Sequence, residues 1–253
     1  MNNYGLQLYS VRDVTETDLK SALRAVSELG YKYVEFAGFF GNSAEDVKSW
    51  LDEYGLVASG THTLINDILP QKIDETIKYH KIIGADRLIV PIASWETEEL
   101  MNENIAAMNE ADRKLRQAGI RLGYHNHSFE FFTTPYGKIV EDEIFNRTDI
   151  EMQIDTFWLF NSGIDPVPYL EAHKDRIGVI HLKDGISKRG VGASFDNAEN
   201  DAVGKSVGEG ETPVKDICKW AEDNGVLVVV ESEGLDPTGL KEVKRCIDFL
   251  NDM

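Results

Sequence analysis

Six residues able to bind metals or move protons stand at the ends of β-rich runs: Glu35, His62, His125, Asp155, His181 and Glu231. Asp155, His181 and Glu231 each come five or six residues into their runs, so on parallel strands they reach a similar height. A carboxylate, an imidazole and a second carboxylate at one level make a mixed nitrogen–oxygen donor set. Such a set suits one divalent ion of the Mn, Co, Zn or Fe type better than an ion that wants oxygen alone. A third segment, Tyr124-His125-Asn126-His127-Ser128-Phe129-Glu130-Phe131, supplies further donors. Alternate residues of an extended chain point the same way, so His125 and His127 can both face one mouth. One imidazole would complete the metal set while the other exchanges a proton near neutral pH. Glu130, looping back, is a third candidate for the remaining ligand, and the sequence leaves the choice open.

The chemistry implied is proton transfer at a carbon next to a carbonyl. Glu231, His62 or His127 would take or return the proton, and Glu35 would orient the substrate. Lys183, just past a run, would contact a hydroxyl, carboxylate or phosphate. Trp95 and Trp158 follow strand ends, where an aromatic wall suits a sugar ring, while Trp50 and Trp220 fit core positions on helices. Gln7 and Glu130 complete the expected substrate contacts. His80 and His173 fall on helices and are expected to be solvated or locally bonded.

Positioning these residues requires eight strands. The β-rich runs are Tyr4–Tyr9, Lys32–Phe36, Val57–His62, Arg87–Pro91, Ile120–His125, Ile150–Asp155, Ile177–Leu182 and Val226–Glu231. Amphipathic stretches alternate with them: Thr17–Leu29, Ser43–Tyr54, Pro70–Gly84, Glu98–Ala118, Lys138–Asn146, Pro166–His173, Pro213–Asp223 and Thr238–Leu250. Gly30, Gly55, Gly119 and Gly225 punctuate helix ends, and Ser43 with Asp46 resembles a capping pair. Strand–helix alternation implies parallel pairing through right-handed crossovers. Eight units without a linker predict one closed (β/α)₈ barrel over residues 1–253, whose chemistry sits at the carboxyl ends of the strands. An open doubly wound sheet is the alternative, but its phosphate-binding glycine fingerprint is absent after the first run. The stretch Asp184–Thr212, rich in Gly, Ser, Asn and Asp, breaks the rhythm on the active face and is expected to act as a lid. Strand parity turns Gln7, Tyr9, Arg121, Glu151 and Gln153 inward, predicting a polar layer in which Arg121 pairs with Glu151.

With 26 basic and 44 acidic residues, the net charge of −18 repels phosphodiester backbones, and no basic cluster offsets it. Nucleic-acid binding is therefore not expected. No apolar run approaches the roughly 20 residues of a membrane span, and residues 1–20 hold no apolar signal core. Cys218 and Cys246 lack metal spacing and read as reduced thiols of a cytoplasmic protein. The sequence does not fix the oligomeric state and is compatible with a homo-oligomer.

Taken together, these motifs resemble the xylose-isomerase-like superfamily of sugar phosphate isomerases and epimerases, over nearly the whole chain. The resemblance is carried by Gly5-Leu6-Gln7-Leu8-Tyr9-Ser10, the His-Asn-His-x-x-Glu-Phe run, Asp155 with Trp158, His181-Leu182-Lys183-Asp184, Val207-Gly208-Glu209-Gly210 and Glu231. It implies one divalent metal held by Glu, Asp, His and Glu from strands five to eight. Asp155, His181 and Glu231 match the last three positions, while His125 stands where the first Glu is usual. The His-rich fifth strand also resembles inosose dehydratases and enzymes that eliminate groups from 3-keto sugars. The expected activity is therefore a metal-dependent isomerase or epimerase of a sugar, keto-sugar or cyclitol, without an organic cofactor. A dehydratase or lyase using the same intermediate is the alternative. Phosphodiester cleavage, known in this superfamily, is disfavoured by the acidic charge, and a non-catalytic sugar-binding barrel by the intact acids and bases.

Overall fold

A computed structural model describes residues 3–253. Its strands are β1 Gly5–Gln7, β2 Tyr33–Phe36, β3 Val57–Thr61, β4 Arg87–Val90, β5 Arg121–His125, β6 Glu151–Asp155, β7 Ile177–Leu182, β8 Asp184–Ile186, β9 Val203–Lys205 and β10 Leu227–Val230. Eight of them form one parallel sheet in the order β3-β2-β1-β10-β7-β6-β5-β4. The two ends of the sheet meet through a parallel bridge between His62 and Ile89, and the Thr63 backbone N–H donates to the Ile89 carbonyl at 2.8 Å. The result is the expected (β/α)₈ barrel, nearly closed, with its thinnest seam at β3 and β4.

Strand alternation divides the apolar residues. Leu6, Val34, Leu88, Leu122, Ile154, Ile180 and Val230 are buried in the large core cluster shared with the helices. The intervening residues turn into the barrel and stack in layers. Ile89, Val179 and Val229 form a separate apolar cluster. Two residues further along their strands, His181 and Glu231 start a polar layer toward the carboxyl ends. This apolar layer lies beneath the polar mouth, where buried charged side chains feel one another in a low dielectric.

The floor differs in part from expectation. Arg121 does pair with Glu151, Nη1 to Oε1 at 3.1 Å, but its side chain is 44% exposed and also meets Asp86 at 2.8 Å. As the first residue of β5 it lies where the barrel opens to solvent. The buried cation is Arg87: its Nε donates to Glu151 Oε2 at 2.8 Å and its Nη2 to the Gly178 carbonyl at 3.1 Å. Gly178 leaves room for the Glu151 carboxylate, which a Cβ at that position would displace.

Three local departures follow from side-chain capping. The first run ends as a strand at Gln7, and Leu8–Val11 winds into a 3₁₀ turn because Gln7 Oε1 accepts the Tyr9 N–H at 3.1 Å. Tyr9 therefore leaves the barrel wall and is 43% exposed at its mouth. After β6 the chain turns at once into the helix Thr156–Asn161, capped by Asp155, which propensity alone did not suggest. The stretch 184–212 begins with the antiparallel pair β8–β9. Buried Asp184 gathers this stretch, accepting N–H groups from Gly185, Gly208, Gly210 and Thr212 at 2.8–3.0 Å. Elsewhere the caps are those expected: Ser43 accepts from Asp46 N–H, and Gly55 closes that helix at φ 66°. Cys218 and Cys246 are free and buried. Among the described residues no helix is long and apolar enough to cross a membrane.

Candidate active site

Glu35, at the carboxyl end of β2, is 1% exposed and organises the polar mouth. Its Oε1 accepts Gln153 Nε2–H at 2.7 Å; its Oε2 accepts Gln7 Nε2–H at 2.7 Å and His181 Nε2–H at 2.6 Å, and lies 3.3 Å from His62 Nε2. Burial alone would raise its pKa, but the facing imidazoles of His181 and His62 hold it below the ordinary carboxylate value. Because the Gln153 amide nitrogen is committed to Glu35, its oxygen must face the imidazoles. It accepts from His62 Nε2 at 2.8 Å and His125 Nδ1 at 3.1 Å. This network assigns the tautomers. His125 keeps a lone pair on Nε2 and His62 keeps one on Nδ1.

Above the hub, His125, Asp155, His181 and Glu231 each offer one donor atom, all within 4.8 Å of one another, and all four are buried. Asp155 reaches this place because its Oδ1 caps the following helix, accepting Trp158 N–H at 2.8 Å. Its Oδ2 is buried with no hydrogen-bond partner among the described residues. Burial, opposed by the Lys183 ammonium, pushes the Asp155 carboxyl up to about 7. His181 Nδ1 faces Glu231 Oε2 at 3.2 Å. Burial would lower the His181 pKa, but Glu35 and Glu231 raise it to about 10. His125 is driven the other way, well below its ordinary value, by burial and then by the imidazoles of His181, His127 and His62. Burial opposes ionisation of Glu231, but Lys183 and His181 outweigh it and hold the carboxyl well below its ordinary value.

A buried charge is tolerated when paired or when it coordinates a metal. The unpartnered Asp155 oxygen, a neutral imidazole in His125, and a His181 ring anchored by its far nitrogen together fit a divalent ion. An imidazole ligand commonly donates its other N–H to a carboxylate, which fixes the ring. The Nε2–H of His181 on Glu35 is that arrangement, leaving Nδ1 for the ion.

The remaining candidates separate by what they touch. His127 lines the cavity, stacks on Phe129 at 5.7 Å between ring centres, and is held by its backbone N–H on Glu130 Oε2 at 2.8 Å. Burial lowers its pKa to about 4, leaving it neutral at physiological pH. Lys183 is buried with Nζ 2.7 Å from Glu233 Oε1 and 4.3 Å from the centre of the Trp158 ring. Burial opposes its charge, but Glu231, Asp155 and Glu233 keep its pKa above the ordinary lysine value. Trp158 is 7% exposed, its indole N–H unpartnered among the described residues.

Three expected contacts are not where a substrate would meet them. Glu130 is fully buried; it accepts the Tyr124 hydroxyl on Oε1 and the His127 N–H on Oε2, so both oxygens are spent as a strut. Trp95, 1% exposed, donates its indole N–H to Tyr124 at 2.9 Å and stands behind that strut rather than forming a wall. Gln7 is also fully buried and supports Glu35. His80 is locally bonded, as one of the two expectations had it: it is buried between the Thr76 carbonyl at 2.7 Å and Thr61 Oγ1 at 2.6 Å. Gln153, expected only to face inward, and Asp184, named only within a motif, are organising residues whose roles the sequence did not indicate. Gln153 carried a signal, two residues before Asp155 on the same strand face.

His62, His125, His127 and Glu231 border an open cavity of about 740 Å³ that continues over the loops after β2, β3 and β4. Residues 23–253 match the family described as xylose isomerase-like TIM barrel.

The chain belongs to this family.

Among its relatives is an inosose dehydratase of Geobacillus kaustophilus (strain HTA426), 24% identical over 196 residues, covering 64% of this chain and 60% of that protein. A sugar phosphate isomerase/epimerase from Parabacteroides distasonis ATCC 8503 superposes over 100% of this chain and 99% of its own, with TM-score 0.81 and 24% identity. The IOLI protein, solved with a bound zinc atom, superposes over 99% of this chain and 97% of its own, with TM-score 0.74 and 14% identity.

Proposed function

We propose that this family member is a divalent-metal-dependent enzyme that transfers a proton at a carbon next to a carbonyl of a sugar, keto-sugar or cyclitol, giving isomerisation or epimerisation. The observation that carries this reading is the unpartnered Asp155 Oδ2 within the His125, Asp155, His181 and Glu231 group, at the edge of a cavity that neutral imidazoles also line. The zinc atom in a structural relative supports a metal at such a site. His125 Nε2, Asp155 Oδ2, His181 Nδ1 and a Glu231 oxygen would hold the ion. When bound, it supplies Lewis-acid stabilisation of the negative charge that develops on a carbonyl oxygen.

The chain's own residues do the rest. His62 Nδ1 has no protein hydrogen bond among the described residues, His127 borders the cavity, and a neutral imidazole is suited to accept and return a proton. Lys183, with Trp158 against its ammonium, is placed beside Asp155 and Glu231 to donate to a substrate oxygen. Glu35 and Gln153 act through the imidazoles they orient, and Glu130 through His127. Loss of a β-leaving group from the same deprotonated carbon would instead give dehydration. The relative named inosose dehydratase favours that second reading. The acidic balance supports a small-molecule substrate rather than nucleic acid, and a cytoplasmic setting accords with two free thiols.

The test is exchange of substrate C–H for solvent deuterium, followed by NMR across sugars, keto-sugars and cyclitols with Mn, Co, Zn or Fe added. The expected result is exchange at one carbon, reduced at least a hundredfold in His62→Ala or His127→Ala. Product chirality or loss of water then separates epimerisation from dehydration. Absence of exchange with every sugar and metal would overturn the proposal.

A further inference from the structure

The cavity is larger, more apolar at its outer end and more acidic than a free or phosphorylated sugar needs. Its floor is His62, His125, His127 and Glu231, and from there it runs outward to Tyr9, Leu64 and Ile92. Those last three are 43%, 55% and 47% exposed. Exposed apolar side chains that gather at the rim of a cavity mark a binding surface, whereas scattered ones do not. A volume of about 740 Å³ belongs in the range that encloses ligands of drug size.

The charges lining the cavity also discriminate. Among the described residues the lysine lining it is Lys72, bound to Asp67 at 2.7 Å, and Lys183, behind the floor, is bound to Glu233 at 2.7 Å. Glu75, Glu231 and Glu233 line it as well. A phosphate group would meet these carboxylates without the bidentate cation that phosphate recognition uses.

We propose that the substrate is an uncharged glycoside of a keto-sugar, whose ring carbonyl meets the proposed chemistry and whose glycosidic substituent is apolar or aromatic. The sugar ring lies against His125, His127 and Glu231, and the substituent lies across Tyr9, Leu64 and Ile92. This rests on the reading of the imidazole floor as the sugar site. Leu64 follows β3 and Ile92 follows β4, on either side of the barrel's seam, so the substituent would span the place where the wall is least hydrogen-bonded.

The experiment measures dissociation constants by ligand-observed NMR for matched methyl and phenyl β-D-glycopyranosides of glucose, galactose and xylose, and for glucose 6-phosphate. The wild-type chain is compared with Leu64→Asp/Ile92→Asp. Both positions are exposed, and melting curves check folding; Leu64→Ser/Ile92→Ser replaces the pair if it unfolds. The expected result is at least tenfold tighter binding of the phenyl than the methyl glycoside of one sugar, with that advantage lost in the variant and glucose 6-phosphate the weakest ligand. Equal binding of phenyl and methyl forms for all three sugars, or tightest binding of the phosphate, would overturn the proposal. So would a variant that keeps the phenyl advantage while changing oligomeric state in sedimentation, since the rim would then be a contact between copies. Deuterium exchange reads the chemistry and the phenyl preference reads the outer cavity, so the two ideas fail separately.

Discussion

Replacing Glu35 by Gln removes one oxygen and its charge, yet Glu35 touches none of the cavity and sits behind the proposed ligands. The carboxylate accepts from Gln7, Gln153 and His181, so each oxygen is engaged. An amide that keeps its oxygen toward Gln153 presents an NH₂ group to His181 Nε2 and to Gln7. A His181 ring holding an ion on Nδ1 would keep its one proton on Nε2, and in the variant that proton would face an NH₂ group and be driven toward Nδ1, the atom that faces Glu231 and is proposed to hold the ion. An outer partner of this kind changes metal affinity by roughly 10–100-fold, or about 1.4–2.7 kcal/mol. The assay is competition for Zn or Mn against a chelator of known affinity at fixed pH, wild type beside Glu35→Gln, with urea unfolding to verify that the fold persists. Metal affinity in Glu35→Gln equal to wild type would refute the argument that Glu35 sets the His181 tautomer.

Glu141 is buried, accepts the Tyr169 hydroxyl at 3.1 Å, and has its pKa raised to about 8, chiefly by burial and then by Glu130. Between its unfolded value near 4.5 and about 8 the folded state keeps a proton that the unfolded chain releases, so stability from this group falls as pH rises and levels off above about 8. Glu141→Gln should therefore match wild type near pH 4.5 and exceed it at pH 8 by several kcal/mol, on the order of 3–5; parallel stability–pH curves would contradict this. Asp184→Ala removes the acceptor of four backbone N–H groups, two buried and two part-buried, and should cost about 1–3 kcal/mol of local stability, read as faster proteolysis and hydrogen exchange between residues 185 and 211. Unchanged exchange there would show that the hairpin, not Asp184, fastens the stretch. Gly178→Ala forces a Cβ onto the Glu151 carboxylate and disturbs its contact with Arg87, so a loss of about 1–3 kcal/mol in urea unfolding is expected.

What the sequence made legible is what depends on period and chain-local spacing. Strand alternation put Asp155, His181 and Glu231 at one height, and the structure gathers them with His125 within 4.8 Å. What it hid depends on register around the barrel. Arg87 and Arg121 are paired residues of adjacent strands, and only the sheet's geometry decides that Arg87 turns under the barrel while Arg121 opens to solvent. Trp95 and Glu130 looked like substrate contacts because they follow strand ends. Both are instead linked through the Tyr124 hydroxyl, whose place between them no local pattern announces. Asp184 appeared only as part of a motif; its role comes from bringing together backbone N–H groups 1 to 28 residues away.

The central claim is that His125, Asp155, His181 and Glu231 hold one divalent ion. Its most direct test is elemental analysis of protein purified without chelators, beside an Asp155→Asn/His181→Gln variant whose folding is verified by its melting curve. The account predicts about one Mn, Co, Zn or Fe per chain in the wild type and loss of that metal in the variant. A folded wild-type protein that carries no metal and takes up none of the four when they are added would contradict it.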